Sequence, residues 1–357
     1  ERVPADFIAE GQDQVSKWFY YQHVLAGALF GKNAFKNVIV NGIVLAEDGK
    51  KMSKRLQNYP DPTNVVDKYG ADAVRLYLLS SPVVHAENLN FSEDGVAQIA
   101  NKVIGRLANV YAMYELYKQT TEHIPGSESG NILDRWIIAR TRQTHAEVTR
   151  ATDAYELNRA TRPLIDFIDD LSTWYIRRSR DRFKRGDKEA LATTVWVLRE
   201  YAKMLAPFAP FMSDWLWQRV KRKDDEESVH LATWSETETV DEAMKAMLFE
   251  MATVREAVSL ALEARAQAGI KVRQPLQKLT IKFALLDEYT DLIKDEVNVK
   301  EILVDESIKE DIQLDTAITP ELKEEGDHYC YSFLSTTSDI DSSLKRFSDV
   351  LKNLVNL

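Results

Sequence analysis

Apolar and polar residues follow two different spacings along the chain. In the N-terminal part, short apolar runs at 5–9 and 37–45 are typical of strands, and the run at 5–9 predicts a buried one. Between them apolar residues recur every three or four positions until Gly31, which predicts a helix. A strand, a helix and a strand in this order predict one unit of a parallel sheet. The apolar face of the helix, which opens near Asp13 and Gln14, contains Trp18, Tyr21, Leu25 and Ala28.

After Asp61 the helical spacing dominates, which predicts long amphipathic helices that pack as a bundle. Residues 125–130 (PGSESG) predict a linker, the acidic run 224–227 predicts a solvated loop, and residues 278–305 predict a strand, a helix and a strand. The fold class is therefore α/β plus mainly α. Predicted core positions in the helices include Val96, Val103, Leu107, Leu164, Ile168, Leu171, Leu198, Ala202, Leu205, Met251, Val254 and Val258.

Composition excludes several classes of protein. The 357 residues are enough for two or three domains. A net charge of −10 argues against a general polyanion binder, although a local basic surface remains compatible with it. The single cysteine, Cys330, excludes a disulfide framework and a Cys-rich zinc site. No apolar run reaches the length of about 18 residues that a membrane helix needs.

The clearest candidate chemistry lies in residues 47–55, EDGKKMSKR. The ordinary interpretation is a solvated surface loop, because most runs of like charge are solvated. The alternative is a phosphate clamp, in which Lys51 and Lys54 neutralise a polyphosphate while Ser53 adds a hydrogen bond. Gly49 would let such a loop bend.

The run KMSKR (51–55) resembles the second signature of the class I aminoacyl-tRNA synthetases, and its context, residues 35–62, resembles the isoleucyl-tRNA synthetases in their eukaryote-like form. The stretches that carry the resemblance are DFIAEGQDQ (6–14), YGADAVRLYLL (69–79), WYIRRSRDRF (174–183), LAPFAPFM (205–212), VRQPLQKLTI (272–281) and LDTAITPELKEEG (314–326). It covers about residues 1–326. The implied domains are the C-terminal part of a Rossmann-like catalytic domain at 1–60, a helical connector at 61–125, a helical anticodon-binding domain at 126–275 and a small α/β region at 276–357.

The resemblance implies a ligase that joins isoleucine to tRNA(Ile) through isoleucyl-adenylate. Lys51, Ser53 and Lys54 are then the catalytic residues, and Arg55, which replaces the commoner serine, receives no role. The implied partners are ATP, isoleucine and tRNA(Ile), with Mg²⁺ entering alongside ATP and no protein-bound zinc. A cytoplasmic monomer without membrane contact is expected.

A second group of residues follows the first predicted strand, at the edge where doubly wound sheets bind ligands. The resemblance implies a pocket for the aminoacyl-adenylate there. Two ordinary alternatives remain open: Asp13 as a helix N-cap and Trp18 as helix core. The VSK run at 15–17 departs from the family pattern. The implied substrate-binding residues are Glu10, Gly11, Asp13, Gln14, Trp18, Gly42 and Met52.

A basic run at 174–188 has seven basic and two acidic residues, a net +5. Arginines at this density suit an RNA backbone, and an aromatic ring beside them suits stacking on a base. The alternative is a helix face paired to acidic neighbours, with Trp174 in the core. The predicted tRNA-binding residues are Trp174, Arg177, Arg178 and Arg182.

The other class I signature, His-Ile-Gly-His, and the editing domain are expected upstream of residue 1. This family is the standard example of an enzyme whose pocket needs editing, because isoleucine and valine differ by one methylene. We therefore expect that the chain alone does not form adenylate at a useful rate. The alternatives are a fragment of a valyl or leucyl enzyme, a non-catalytic tRNA-binding module, and a helical scaffold without a ligand.

Overall fold

The computed structural model describes residues 3–53, 55, 58–118, 129–236 and 239–325. These residues are mostly helical with small sheets and form two compact units. The described residues of one unit lie within Glu1–Glu128 and Arg140–Thr239, and those of the other lie within Ser129–Ala139 and Val240–Asn356. Lys54, residues 125–128 of the expected linker, and the tail with Cys330 lie outside the described residues. The four-part domain division remains a prediction.

The first unit begins with the expected strand, helix and strand. β1 (Ala5–Gly11) and β2 (Phe35–Asn41) pair in parallel, with Gly11 opposite Asn41. Between them a 3₁₀ turn and a π-helical turn lead into α1 (Tyr20–Phe30). Gly31 ends α1 at φ +60°, a conformation that glycine adopts without strain.

The expected burial of this part is wrong. β1 has no buried residue, and Ala26 is the one buried residue of α1. Tyr21 and Leu25, on the predicted apolar face, are 61% and 56% exposed. The physical reason is that, among the described residues, the sheet has two strands only, so most of its apolar surface meets solvent.

A second pair of short strands follows. β3 (Val44–Leu45) pairs in parallel with β4 (Leu89–Asn90), and α2 (Pro62–Tyr69) and α3 (Ala71–Leu79) lie between them in the chain. α4 (Glu93–Ile99) continues through a π-helical segment into α5 (Arg106–Tyr117). Val65, Ala73 and Val96 form a buried cluster that joins α2, α3 and α4.

The remaining helices of the unit carry its largest buried side chains. They are α6 (Ile132–Asp153, which begins in the second unit), α7 (Leu157–Asp169, continued by the π-helical segment Asp170–Ile176), α8 (Arg180–Lys184), α9 (Lys188–Leu205) and α10 (Pro210–Val220). The predicted core positions Leu164, Ile168, Leu171, Leu198 and Leu205 are all at most 1% exposed. Helical periodicity therefore located this core correctly.

Two polar side chains of α3 bond the first turn of α10 and the residues just before it. The buried carboxylate of Asp72 accepts a 2.6 Å hydrogen bond from the Met212 N–H, where the first turn of α10 leaves backbone donors free. Arg75 donates to the carbonyls of Pro207 and Phe208. Burial raises the pKa of the Asp72 carboxyl. This contact fixes α10 to the helices that follow the basic loop.

In the second unit, α11 (Glu242–Gln267) precedes β5 (Leu276–Ile281), α12 (Asp287–Val297), β6 (Val299–Val304) and β7 (Ile312–Leu314). β5 lies in the middle of the sheet, parallel to β6 and antiparallel to β7. The side chain of Arg265 is 1% exposed and donates to the carbonyls of Lys271, Gln274 and Asn298. This buried arginine holds the VRQP turn at the end of α11.

Candidate functional site

The carboxyl ends of β1 and β2 bring two predicted pocket glycines near each other in the sheet. Gly11 lies opposite Asn41, and Gly42 follows directly. The Gly42 N–H donates to the Val83 carbonyl at 2.7 Å, and a Cβ placed on Gly42 would lie 1.8 Å from the Glu87 carbonyl oxygen. Gly42 is therefore required by close packing of the backbone. Its predicted contact with substrate remains a prediction.

The other pocket candidates surround the end of β1 and are accessible. The Asp13 carboxylate accepts a 2.9 Å hydrogen bond from Gln14 and lies 3.7 Å from the Lys17 ammonium. It does not act as an N-cap, because the cap positions are Gly11 and Gln14, without side-chain cap bonds. Glu10 is exposed. Trp18 is 41% exposed, so it is not helix core among the described residues.

The basic loop is anchored at its base. The Ala46 N–H donates to the Lys50 carbonyl at 2.9 Å, Gly49 turns the chain at φ +77°, and Lys51 forms an antiparallel bridge with Leu45. Leu45 in turn accepts a hydrogen bond from the Phe91 N–H. The Lys51 side chain is exposed and those of Met52 and Ser53 are half-buried. The loop thus presents Lys51 to solvent from a fixed backbone.

Sequence reasoning missed one residue of this loop, Asn58. Its Oδ1 accepts the Ser53 N–H at 2.9 Å, and its Nδ2 donates to the Lys51 carbonyl at 3.2 Å. Asparagine side chains in turns often bond nearby backbone groups, but such residues are common and the sequence does not single this one out.

The basic run at 174–188 divides into buried and exposed members. Trp174 is 9% exposed, which agrees with the alternative that its ring belongs to the core. Its contact with tRNA remains a prediction. The Arg178 guanidinium lies 5.9 Å from the centre of that ring. The Arg182 side chain, 12% exposed, donates to Asp187 at 2.8 Å. Arg182 therefore has a structural partner inside the protein, which limits its reach to RNA.

Asp187 connects this ion pair to a helix. It is the N-cap of α9 and accepts from the backbone N–H groups of Glu189 and Ala190. Burial would raise the pKa of Asp187, but the hydrogen bonds from Arg182 and Ala190 outweigh it and lower this pKa. The exposed cations of the run are Arg177, Arg180, Lys184, Arg185 and Lys188.

The described residues offer neither a cluster of metal-binding side chains nor a membrane-spanning helix. No group of three or more His, Cys, Asp or Glu side chains in this part of the chain is arranged to hold a metal ion. No helix there is long and apolar enough to cross a membrane.

Comparisons with known proteins agree with this geometry. Residues 1–90 match the profile of the class I tRNA synthetases (I, L, M and V), and residues 134–280 match the anticodon-binding domain of tRNA ligases. Two solved structures share the fold: the Agrobacterium radiobacter LeuRS–tRNA–LeuAMS complex (TM-score 0.53, 24% identity, 68% of this chain and 30% of that one), and Mycobacterium tuberculosis methionyl-tRNA synthetase with methionyl-adenylate (0.53, 20%, 67% and 50%). The fold and the matched profiles are those of a class I aminoacyl-tRNA synthetase.

Curated relatives narrow the class. The chain is 44% identical to the isoleucine–tRNA ligase of Chlamydia muridarum over 84% of its length, and 42% identical to that of Protochlamydia amoebophila over 88%. The Treponema pallidum ligase is 40% identical over 86%. The chain belongs to the isoleucine–tRNA ligase family. It spans about 30% of the length of these relatives.

Proposed function

We propose that the chain supplies the phosphate clamp and the tRNA-binding part of an isoleucine–tRNA ligase. The observation that carries the proposal is the 40–44% identity to isoleucine–tRNA ligases along most of the chain. The class I synthetase profile that matches residues 1–90 spans the loop that holds Lys51. These relatives also favour isoleucine over the valine and leucine alternatives.

The reaction begins when a carboxylate oxygen of isoleucine attacks the α-phosphorus of ATP. The bond from the α-phosphorus to the oxygen that bridges it to the β-phosphate breaks, and pyrophosphate leaves. A ribose hydroxyl at the 3′ end of tRNA(Ile) then attacks the isoleucyl carbonyl, AMP leaves, and the hydroxyl proton passes to solvent. Lys51 and Lys54 stabilise the negative charge that moves onto the leaving phosphates, and Ser53 donates a hydrogen bond. Mg²⁺ enters bound to the triphosphate, as it does in most ATP sites.

The end of β1 forms the adenylate side of the same site. Glu10, which is exposed, pairs with the substrate ammonium, and Asp13 or Gln14 bonds the ribose hydroxyls. Gly11 lets the backbone approach the ligand. Trp18 and Met52 face the aliphatic side chain and the nucleotide, and Gly42 closes this edge of the sheet.

The exposed apolar surface of β1, β2 and α1 supports the expectation that activity requires further parts of a catalytic domain. Phe7, Leu25 and Leu29 are 53%, 56% and 71% exposed. Single exposed apolar residues are normal on a protein surface, whereas a group of them marks a surface that contacts other structure. We therefore expect no isoleucine-dependent ATP–pyrophosphate exchange by the chain alone.

A chimera tests the proposal. The chain replaces the matched segment of the Chlamydia muridarum ligase, and isoleucine-dependent ATP–pyrophosphate exchange is measured beside the unaltered parent. We expect exchange within about tenfold of the parent, because the chain is 44% identical to the segment that it replaces. A folded chimera without exchange contradicts the proposal.

The tRNA surface gives a separate prediction for the chain itself. Arg180 and Lys188 are exposed, and neither has a partner among the described residues. We expect the double substitution Arg180→Ala/Lys188→Ala to weaken binding of tRNA(Ile) and to reduce the slope of log affinity against log salt by about one per lost phosphate contact. Filter binding across a salt series measures both quantities.

Two controls make this test specific. Lys309→Ala removes one exposed charge elsewhere and is expected to leave the salt slope unchanged. Arg182→Ala breaks the ion pair with Asp187. This variant is expected to have a lower melting temperature and a nearly unchanged salt slope. An unchanged slope in the Arg180/Lys188 variant would remove this run from the tRNA surface.

A further inference from the structure

The side chain of Asn58 accepts one backbone hydrogen bond and donates another, as a neighbouring strand does in a sheet. Its one amide group accepts the Ser53 N–H and donates to the Lys51 carbonyl, reaching back five and seven residues along the chain. An amide side chain offers a donor and an acceptor in one plane whatever the pH. With the amide flipped, Nδ2 would face the Ser53 N–H, donor against donor, and Oδ1 would face the Lys51 carbonyl, acceptor against acceptor. A single orientation therefore satisfies both backbone groups.

Lys51 is consequently held from two sides. Its backbone forms the bridge with Leu45 on one side and bonds Asn58 on the other. Leu45 is itself fixed by the Phe91 N–H. The bonds leave the Lys51 side chain exposed, while the backbone that carries it and Ser53 has little freedom.

Asn58 lies shortly before a packed helix in the chain. Three residues later Asp61 caps α2 by accepting the Thr63 N–H at 2.8 Å, and Val65 of α2 lies in the buried cluster with Ala73 and Val96. The position of the basic loop is thereby linked to a packed helix.

We propose that Asn58 is a positioning residue for amino-acid activation: it holds the backbone of Lys51 and Ser53 in the geometry that places these side chains against the phosphates of ATP. This inference rests on the proposed function. Charged groups that are fixed before the reaction need no rearrangement when charge develops. Without Asn58, Lys51 samples more positions, and a misplacement of about 1 Å is enough for a large loss of rate.

The test uses Asn58→Ala, which removes both bonds, and Asn58→Asp, which keeps an acceptor for Ser53 but has no donor for Lys51. The matched control is Asn64→Ala, an exposed asparagine on α2. In the chimera we expect kcat for ATP–pyrophosphate exchange to fall about tenfold in Asn58→Ala, with the KM for isoleucine unchanged. Asn58→Asp is expected to lose activity as well, and Asn64→Ala to match the unaltered chimera.

A second readout does not depend on activity. Trypsin cleavage after Lys51 is measured in the chain itself by mass spectrometry. Its rate reports how often the backbone at Lys51 leaves the hydrogen-bonded geometry. We expect cleavage to be about tenfold faster in Asn58→Ala than in Asn64→Ala, since two hydrogen bonds are lost. The melting temperatures of the two variants are expected to be similar.

The outcomes separate the two proposals. Unchanged kcat in Asn58→Ala, or a cleavage rate equal to that of the control, overturns the positioning role. A chimera with Asn58 intact that shows no exchange overturns the proposed function, and this failure is visible before any substitution is made.

Discussion

Replacing Lys51 by alanine is expected to lower the rate of isoleucine activation in the chimera by about 100- to 1,000-fold, the cost of one fixed group that stabilises developing charge. The loss should fall on kcat, because the charge on the leaving pyrophosphate is larger in the transition state than in bound ATP. The KM for isoleucine should change little. ATP–pyrophosphate exchange under saturating isoleucine measures the effect.

Lys50→Ala is the matched control. It removes the same charge from the adjacent position, but the Lys50 ammonium lies 3.0 Å from the Asp48 carboxylate and is expected to serve the turn. The hydrogen bond from the Lys50 side chain also lowers the pKa of the Asp48 carboxyl. We expect a loss below about threefold for Lys50→Ala, as for surface pairs in general. Equal losses in both variants would show that the loop contributes only general positive charge.

Asp225→Asn is expected to lower the free energy of unfolding of the first unit by about 2 kcal/mol, within the usual range for hydrogen bonds to a charged group. The Asp225 side chain is 19% exposed, so its charge is only partly desolvated. Arg199, 8% exposed, donates to Asp225 with both terminal nitrogens, and its Nη1 also donates to the Val220 carbonyl at 3.1 Å. Its guanidinium lies 5.2 Å from the centre of the Trp217 ring. Urea unfolding followed by tryptophan fluorescence reports this region directly.

The effect should depend on pH in one direction. The hydrogen bond from Arg199 lowers the pKa of Asp225 below its ordinary 3.8. A lowered pKa in the folded state stabilises the fold above the unfolded value, and this contribution disappears as the pH falls through the folded value. The difference between the unaltered chain and Asp225→Asn should therefore be full at neutral pH and shrink below pH 3.8.

Asp224→Asn provides the control, because this neighbouring carboxylate is exposed. Its expected effect is below about 0.5 kcal/mol. Similar destabilisation in both variants would mean that the acidic run contributes only through net charge.

The same residues show where sequence reasoning stops. Periodicity located the helices and buried positions such as Leu164 and Leu198, because an amphipathic helix repeats its apolar residues regardless of its partners. The acidic run 224–227, expected to be solvated, contains an aspartate held by an arginine 26 residues away. A bond between residues so far apart leaves no local pattern.

The candidate site divides in the same way. The basic loop and the sheet edge are visible in the sequence because their residues are consecutive. The burial of Trp174 and the pairing of Arg182 with Asp187 depend on how the helices pack, so the expected RNA contacts included a core residue. Asn58 was overlooked because asparagine in a turn is common, and only its two bonds distinguish it.

Charging of tRNA(Ile) by the chimera tests the central claim most directly. The measurement is the isoleucine-dependent formation of isoleucyl-tRNA, with valine and leucine as alternative substrates and the Chlamydia muridarum parent as reference. We predict charging with isoleucine that requires Lys51. Absence of charging by a folded chimera, or charging that survives Lys51→Ala undiminished, would contradict it.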